Sequence, residues 1–555
     1  MKKKLLGSII LTLALCVTGC ASKEASQSDV SPTNSPKSTE VPEPTGAVEP
    51  TPTEVAEPTA EPTGAAEPTP TEVAEPTAEP TPTKAPQAYL DVAFDAYWDN
   101  SYSDDDKVEL IRTRYNLIDL RTLEYPLLTD AVNKFNESYL TFVQSYIEEL
   151  EEFAIYNYQE YGEELYLGPF AYESDMFVRR ADEMVLSVGE YVHSYEGGVH
   201  GLDFFNAYNF DVQTGKPILL TDVIVDMSDL ADILAAEMLE KYPDLMYWTE
   251  TLQEEFVEYI TPGDTEYRLE FTWTLEYDGV TFYFSSYEIG NYAQGTQQVT
   301  ILYQEYPQIF SDFYFGETEE DYVRKAVGDN GCLSIDLDAD GVTDHISISR
   351  NYSVETDCYE SYEVTVNGNT YLQDVFNYSL EVYLVKSGGN HYLYVQRMVE
   401  NDYQIVSVFK ITADSVEFVD EFGGGLISFI NPRDFKVIKM QDMLSTYPVL
   451  AECYVGADGM PVEKDGIYEV QSEIAITSTV EITAELVDEE GLMLGLSYTF
   501  PAGTTFTFKK TDGESFIDML ADDGQLCRFE TSPGWPPTVN GMNAEEFFEM
   551  LWYAG

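Results

Sequence analysis

A proline-rich segment near the start of the chain most limits what this sequence can fold into. Residues 21–87 contain 14 of the 27 prolines, and the block EPTPTEVAEPTAEPT begins at Glu49 and again at Glu67. Proline every few residues forbids an α-helix and an interior strand, because it lacks a backbone donor. The remaining Thr, Glu, Ala and Val offer almost nothing to bury. We therefore predict an extended stalk at 21–87, up to about 200 Å long at ~3.1 Å per residue, and a folded part at 88–555.

The first 20 residues, MKKKLLGSIILTLALCVTGC, have the order of an export signal: lysines, a short apolar run and small residues. The apolar run is too short to cross a bilayer, which takes ~20 residues. The ending VTGC resembles the lipobox of bacterial lipoproteins, in which the cysteine is diacylated and becomes the first mature residue. We predict lipid attachment at Cys20 and a location on the outer face of the cytoplasmic membrane of a Gram-positive bacterium. An ordinary secretory signal with a chance cysteine is the alternative.

The charge of the chain restricts its partners. One hundred acidic and 29 basic side chains give a net charge of -71. The leader contributes +3 and the stalk -9, so that about -65 belongs to residues 88–555. Nucleic acid is excluded as a partner, because its phosphates would be repelled. Aromatic residues make up 14% of the chain, which is too many for an unfolded acidic protein. The charge favours a cationic partner.

Residues 88–316 have the pattern of an α+β domain. Apolar residues at spacings of three and four predict helices at 131–153, capped by Thr129 or Asp130, and at 228–241. Alternation predicts strands at 184–190, 204–211, 269–276, 280–285 and 298–302. Helices and antiparallel hairpins in one region indicate the α+β class.

Two runs in this region carry a family resemblance. The first is YEGGVHG at 195–201 with YNFDVQTGK at 208–216, and the second is GVTFYFSSYEIGNYAQG at 279–295 with QVTI at 298–301. They resemble the extracellular domain of unknown function of RsiV-type anti-sigma factors, which also precedes the catalytic domain of PdaC-type peptidoglycan deacetylases. The resemblance covers 95–315. It implies binding rather than catalysis, because this domain recognises lysozyme in the anti-sigma family.

Three residues of these runs form a candidate binding surface: His200, Tyr287 and Tyr292. The alternative for His200 is a backbone hydrogen bond inside a turn formed by its neighbouring glycines. The alternative for the tyrosines is a place in the core, where strand aromatics are common. The sequence shows no nucleophile elbow, HExxH motif or phosphate-binding glycine loop.

The sharpest local motif is DLDADGVTD at 336–344. It supplies carboxylates at positions 1, 3, 5 and 9 and a backbone carbonyl at position 7, from Asp336, Asp338, Asp340, Asp344 and Val342. This set suits calcium. Strand-like flanks make it similar to the calcium loop of FG-GAP (integrin-type) repeats, whereas Ser347 at position 12 departs from the EF-hand. A solvated acidic turn is the alternative.

Mainly-β modules are expected after residue 316. Strands are predicted at 362–366, 380–385, 392–397, 403–411 and 416–419, which indicates a propeller-blade-like meander in a module at 317–448. Residues 449–555 resemble a small SH3-like barrel that ends in a helix capped by Asn543.

The cysteines permit two disulfides in an exported protein. Cys16 leaves with the leader, and pairing neighbours gives Cys332–Cys358 and Cys453–Cys527. Three connectivities are possible, and free buried thiols are the alternative.

These observations favour a membrane-anchored extracellular binding or sensing lipoprotein that recognises lysozyme or peptidoglycan. The competing class is a cell-wall glycan-acting enzyme or its accessory subunit, which would need two carboxylates across a cleft. A structural wall protein is a third class.

Overall fold

The computed structural model describes residues 90–549, apart from 104–106, 244, 246–248, 261–269, 316–320, 328–332, 357 and 533–535. The predicted leader and stalk, with Cys20, lie outside the described residues, and so does Cys332. Within the described part, no helix is both long enough and apolar enough to cross a membrane.

The first layer is a five-stranded sheet covered by a long helix, α1 (Pro126–Tyr161). Its strands are β1 (Val92–Tyr102), β2 (Glu109–Leu120), β3 (Phe170–Ala181), β4 (Val185–Tyr195) and β5 (Leu202–Asp211), and they neighbour one another in that order. All neighbours are antiparallel except β2 and β3. A parallel pair needs a long crossover, and α1 supplies it. Leu128, Val132 and Val143 of α1 pack into the core above this sheet.

Helix α1 extends beyond the predicted 131–153 at both ends. It begins at Pro126, which has no N–H to lose in the first turn. The predicted cap at Thr129 or Asp130 is wrong, because Tyr125 occupies the N-cap position without a side-chain bond. The helix ends before Gly162, whose φ of +71° breaks the helical path.

The second layer packs three helices on a three-stranded sheet. The helices are α2 (Leu220–Val223), α3 (Leu230–Lys241) and α4 (Thr249–Ile260), and the strands are β6 (Thr272–Leu275), β7 (Gly279–Phe284) and β8 (Gln297–Leu302). Their apolar residues fill one core, with Leu234, Phe256 and Phe282 fully buried. The predicted helix at 228–241 and the five predicted strands up to 302 are confirmed, with shifted ends.

Two sheets form the next part of the chain. One contains β10 (Leu333–Ile335), β11 (Asp344–Ser353), β12 (Cys358–Val366) and β13 (Asn369–Gln373), and the other contains β17 (Ser415–Gly423), β16 (Gln404–Thr412), β15 (Asn390–Met398), β14 (Ser379–Ser387) and β9 (Tyr322–Lys325) in spatial order. The predicted strands of the meander are confirmed. Val382 and Leu384 pack against the sheet of β10–β13, whereas Tyr383 and Val385 share a different core with apolar residues of 426–455, because successive side chains of a strand alternate. The central strands of the second sheet, β14 and β15, are therefore buried on both faces.

The C-terminal part is one open sheet of 14 strands. Its strands are β18 (Gly425–Ile427), β19 (Phe435–Asp442), β20 (Thr446–Val455), β21 (Pro461–Glu463), β22 (Tyr468–Val470), β23 (Ala475–Ser478), β24 (Ile482–Val487), β25 (Met493–Phe500), β26 (Thr505–Thr511), β27 (Phe516–Ala521), β28 (Leu526–Ser532), β29 (Thr538–Val539), β30 (Met542–Asn543) and β31 (Phe548–Glu549). The main order is β18-β19-β20-β22-β26-β27-β28-β24-β25.

Three expectations for this part differ from the structure. None of the described strands closes into an SH3-like barrel, and the expected boundary between 448 and 449 falls inside β20. Up to residue 549, the predicted C-terminal helix is a single 3-10 turn, Ala544–Glu546, because Phe548 leaves the helical path to pair with β23 and enter the core. The remaining residues of that predicted helix, Met550 and Leu551, lie outside the described residues.

The three described cysteines outside the leader are buried free thiols. The predicted Cys453–Cys527 disulfide is wrong, because the two residues belong to different hydrophobic cores. The thiol of Cys453 faces the carbonyl of Ala451, and that of Cys527 faces the carbonyl of Met519. Burial raises the pKa of Cys453 to about 11 and that of Cys527 to about 12. Cys358 is also a buried free thiol.

Candidate binding surface

His200, Tyr287 and Tyr292 lie together at the surface, and we call these three residues the aromatic cluster. The His200 ring stacks on Tyr292, with centroids 3.7 Å apart and planes 18° apart. The Tyr287 hydroxyl lies 3.1 Å from Nε2 of His200, and the rings of Tyr287 and Tyr292 are 5.7 Å apart. The predicted candidate surface is therefore one contiguous group in space.

The first loop of the cluster joins β4 to β5. Gly197 and Gly198 have φ values of +84° and +117°, so the turn depends on glycine. Gly201 allows close approach, because a Cβ there would lie 2.4 Å from Cε1 of His193. The Gly201 carbonyl lies 2.9 Å from Nδ1 of His200. The backbone hydrogen bond that was the alternative reading of His200 is thus present beside the aromatic contacts.

The second loop joins β7 to β8 and is held over β5. The Ser286 N–H donates to the carbonyl of Asp203 at 3.0 Å. Glu288 accepts bonds of 2.7 Å from the Ser285 N–H and from the Tyr259 hydroxyl of α4. Burial raises the pKa of Glu288, and these two donors offset part of that rise. The loop is tied to β5 and to α4 and is closed by an internal hydrogen bond, and within it Tyr287 has a left-handed φ of +71°.

A second histidine beside the cluster was missed as a site residue. Nδ1 of His193 lies 2.7 Å from a carboxylate oxygen of Asp203, and the two residues face each other across β4 and β5. Their HxxxxxxxxxD spacing carries no motif, but their positions on paired strands could have suggested the contact. The His193 ring of this pair packs closely against the backbone at Gly201.

The acidic loop lies between β10 and β11, as its strand-like flanks predicted. Oxygens of Asp336, Asp338 and Asp340 lie within 4.8 Å of one another. Asp344 is oriented differently: its carboxylate accepts bonds from the Leu337 N–H at 2.7 Å and from the Asn367 amide. The loop therefore brings together three of the four predicted carboxylate ligands.

A small cavity lies beside this loop, where β6–β8 meet the β-rich part. Tyr277 and Tyr322 stack along it with centroids 5.1 Å apart. Asp336, Lys386 and His391 also line it. Burial lowers the pKa of His391 to about 4, and the nearby charge of Lys386 adds to the effect. The cavity lies between the two halves of the fold, and no local sequence pattern predicted it, because its lining comes from five separate segments.

The aromatic cluster has the features of a contact surface. It offers flat, partly exposed rings with fixed positions. Residues 221–304, which include both tyrosines of the cluster, match the family model described as a protein of unknown function, DUF3298. The chain carries a DUF3298 domain at these positions.

Two solved structures are similar to this chain. A DUF3298 family member from Bacteroides fragilis is 19% identical with a TM-score of 0.31, and the match covers 40% of this chain and 94% of that chain. A DUF3298 family protein from Pseudomonas aeruginosa is 15% identical with a TM-score of 0.29, covering 42% of this chain and 99% of that chain. No curated protein matches the sequence. The relation to RsiV-type and PdaC-type proteins stays a prediction.

Proposed function

We propose that this protein is an extracellular binding or sensing lipoprotein, anchored through Cys20, whose aromatic cluster contacts a cationic wall-active protein such as lysozyme. The observation that carries this proposal is the convergence of His200, Tyr287 and Tyr292 into one stacked, partly exposed group. Peptidoglycan is the other ligand that such flat rings would suit.

The cluster is suited to binding because its rings are already ordered. Tyrosine contributes a large contact area with few rotatable bonds, and residues of this kind dominate interface energies. The β7–β8 loop is held by Glu288 and by the Asp203 carbonyl before any partner arrives. Little conformational entropy would be lost on binding, which favours affinity.

The charge of the folded part supports a cationic partner. About -65 charges on residues 88–555 create a field that attracts and orients a basic protein. This steering acts over about 8 Å at physiological ionic strength and weakens as salt is added. The charge accounts for the encounter, and the aromatic cluster accounts for specificity.

We further propose that the acidic loop binds calcium through Asp336, Asp338 and Asp340, with the Val342 carbonyl. Three carboxylates within 4.8 Å form a suitable donor set for a hard divalent cation. Asp344 would support the loop through Leu337 and Asn367 rather than provide a ligand.

Lysozyme titrated into the 88–555 chain at about 0.1 M and about 0.5 M salt tests the proposal. We expect binding at both concentrations, because a packed aromatic interface is not screened. Binding that disappears at the higher concentration would mean that charge alone is responsible. Incubation with purified peptidoglycan provides the second arm: retention without cleavage supports a binding protein, whereas release of new reducing ends would identify a glycan-acting enzyme.

A further inference from the structure

The hairpin of β24 and β25 ends the largest sheet with an apolar strand. β25 pairs with β24, from Ile482 opposite Phe500 to Val487 opposite Met493. Among the described strands, none pairs with the other side of β25. Its outer N–H and C=O groups therefore form an open edge that another strand could join.

The exposed side chains of this hairpin are unusual for an edge strand. Those between 41% and 66% exposed are Leu492, Met493, Leu494, Leu496 and Tyr498. Residues 491–502, GLMLGLSYTFPA, hold no charged side chain, although 23% of the chain is charged. Natural edges are usually protected by lysine, inward-pointing charge, proline or a bulge. Here the protection is a register shift between Glu485 and Val487, with a left-handed Gly495 at φ +67°, and regular pairing with β24 covers Ser497 to Phe500.

The hairpin is fixed to the body of the sheet at its turn. The Arg528 guanidinium donates to the Gly491 carbonyl at 3.0 Å and binds both carboxylate oxygens of Asp518 at 2.6 and 2.7 Å. The Lys510 ammonium donates to the Glu489 carbonyl at 3.0 Å. The apolar strand is thus presented on a supported element, which reduces the entropy that binding would cost.

The charge around β25 indicates which kind of segment can bind at its open edge. The turn next to the strand carries Asp488, Glu489 and Glu490, and no ion pair is formed by these carboxylates within the described part of the chain. A second copy of this chain would bring the same acidic turn and the same large negative charge, so pairing between copies is opposed. An apolar segment with lysine or arginine would instead complement both the strand and the turn.

We propose that the open edge of β25 binds an extended segment of a cationic partner protein, which joins the sheet as a further strand. Backbone hydrogen bonds to residues 496–500 would provide affinity, and apolar residues of the segment would pack on Leu496 and Tyr498, which share a face. Basic residues of the segment would lie near 488–490. This surface is separate from the aromatic cluster, so the proposal holds whether or not that cluster binds lysozyme.

The probe for this proposal is a nine-residue peptide of alternating valine and lysine. The control peptide has the same charge, but proline replaces its two central valines, so that it cannot pair as a strand. Both are titrated into the 88–555 chain at about 0.5 M salt, where exposed charges are screened. We expect the alternating peptide to bind at least about tenfold more tightly. We also expect it to slow amide hydrogen exchange in residues 496–500.

Matched variants test whether the peptide binds at β25. Leu496→Thr combined with Tyr498→Thr should weaken binding of the alternating peptide about tenfold or more. Leu520→Thr is the control, because Leu520 is also an exposed apolar residue but lies on β27, which is paired on both sides. It should change binding less than about twofold. Unchanged melting temperatures would show that each variant is folded.

Three results would overturn the proposal. Equal affinity of the chain for the two peptides would mean that charge, and not strand pairing, is responsible for binding. Exchange protection that omits residues 496–500 would place the peptide elsewhere, even if the double variant failed to fold. Sedimentation showing self-association that the double variant abolishes would make a second copy the occupant.

Discussion

His391 shows how a single residue responds to its position between the two halves of the fold. It pairs with Lys386 across the β14–β15 hairpin and lines the cavity near β6–β8. Burial is the main reason why its pKa falls to about 4, and the charges of Lys386 and Arg324 lower it further. Asp278 and Asp344 act in the opposite direction. The imidazole is therefore neutral at physiological pH.

This shift predicts a loss of stability in acid. The unfolded chain takes up a proton on His391 near its ordinary pKa of about 6.5, whereas the folded chain does so only near 4. The contribution of neutral His391 to the free energy of unfolding is complete above pH ~6.5. It falls by about 3 kcal/mol as the pH is lowered to ~4. Many carboxylates titrate in the same range, so the comparison is with His391→Gln. Urea unfolding at pH ~7 and ~4 should show a smaller acid loss in the variant, and an equal loss would contradict the assignment.

At this scale the sequence selected three residues that lie together in the structure, but not the residues that support them. Family motifs selected His200, Tyr287 and Tyr292, which are separated by up to 92 positions and meet only because the β7–β8 loop lies over β5. Glu288 was missed because its role depends on Tyr259 of a helix that the pattern did not predict. Supports of this kind come from tertiary packing and have no local sequence signal.

At the scale of elements, the buried strands were the most predictable. β14 and β15 carry near-continuous apolar runs, as expected of strands covered on both faces. β1 and β2 were missed because they carry Asp, Asn and Arg along an exposed face. The loop at 336–344 was placed correctly between strands, but Asp344 turns away because Asn367 of the β12–β13 turn holds it.

The acidic loop gives a test at the same scale. Asp338→Ala should lower the melting temperature only in calcium, because a ligand stabilises the state that binds it. At calcium ~100-fold above the dissociation constant, the unsubstituted chain gains ~2.7 kcal/mol. Asp344→Ala is the matched control and should destabilise equally with and without calcium, because it removes the acceptor for Leu337 and Asn367. Identical wild-type melting curves in calcium and in chelator would favour the solvated turn.

At the scale of the whole molecule, a buried ion cluster links residues 170–302 to the β-rich part that follows. Glu276 is fully buried, with oxygens 3.6 Å from Nε of Arg179 and 3.1 Å from Nε of Arg324. Arg324 of β9 also pairs with Asp278 at 2.5 Å, and Arg179 of β3 donates to the Lys325 carbonyl at 2.9 Å. The sequence suggested separate modules, because contacts between distant segments leave no trace in local patterns.

This ion cluster predicts that removing the charge of Glu276 greatly lowers the free energy of unfolding. Glu276→Gln leaves two buried guanidinium groups poorly compensated and should cost about 3–5 kcal/mol. Glu109→Gln removes the partner of the exposed Arg112 and should cost less than about 1 kcal/mol. Denaturant unfolding of 88–555 measures both, and circular dichroism and fluorescence should report one shared transition. Two separate transitions would show that the halves unfold independently.

The most direct test of the account is the contribution of the aromatic cluster to binding. Lysozyme is titrated calorimetrically into the 88–555 chain and into Tyr287→Ala and Tyr454→Ala variants, whose tyrosines are 39% and 41% exposed. Both substitutions remove a tyrosine ring of similar exposure and leave the net charge unchanged, but of these two tyrosines only Tyr287 contacts His200. We predict that Tyr287→Ala raises Kd at least about tenfold, as expected of an interface anchor, while Tyr454→Ala changes it less than about twofold. Equal affinities of the two variants would contradict the assignment of the cluster as the binding surface.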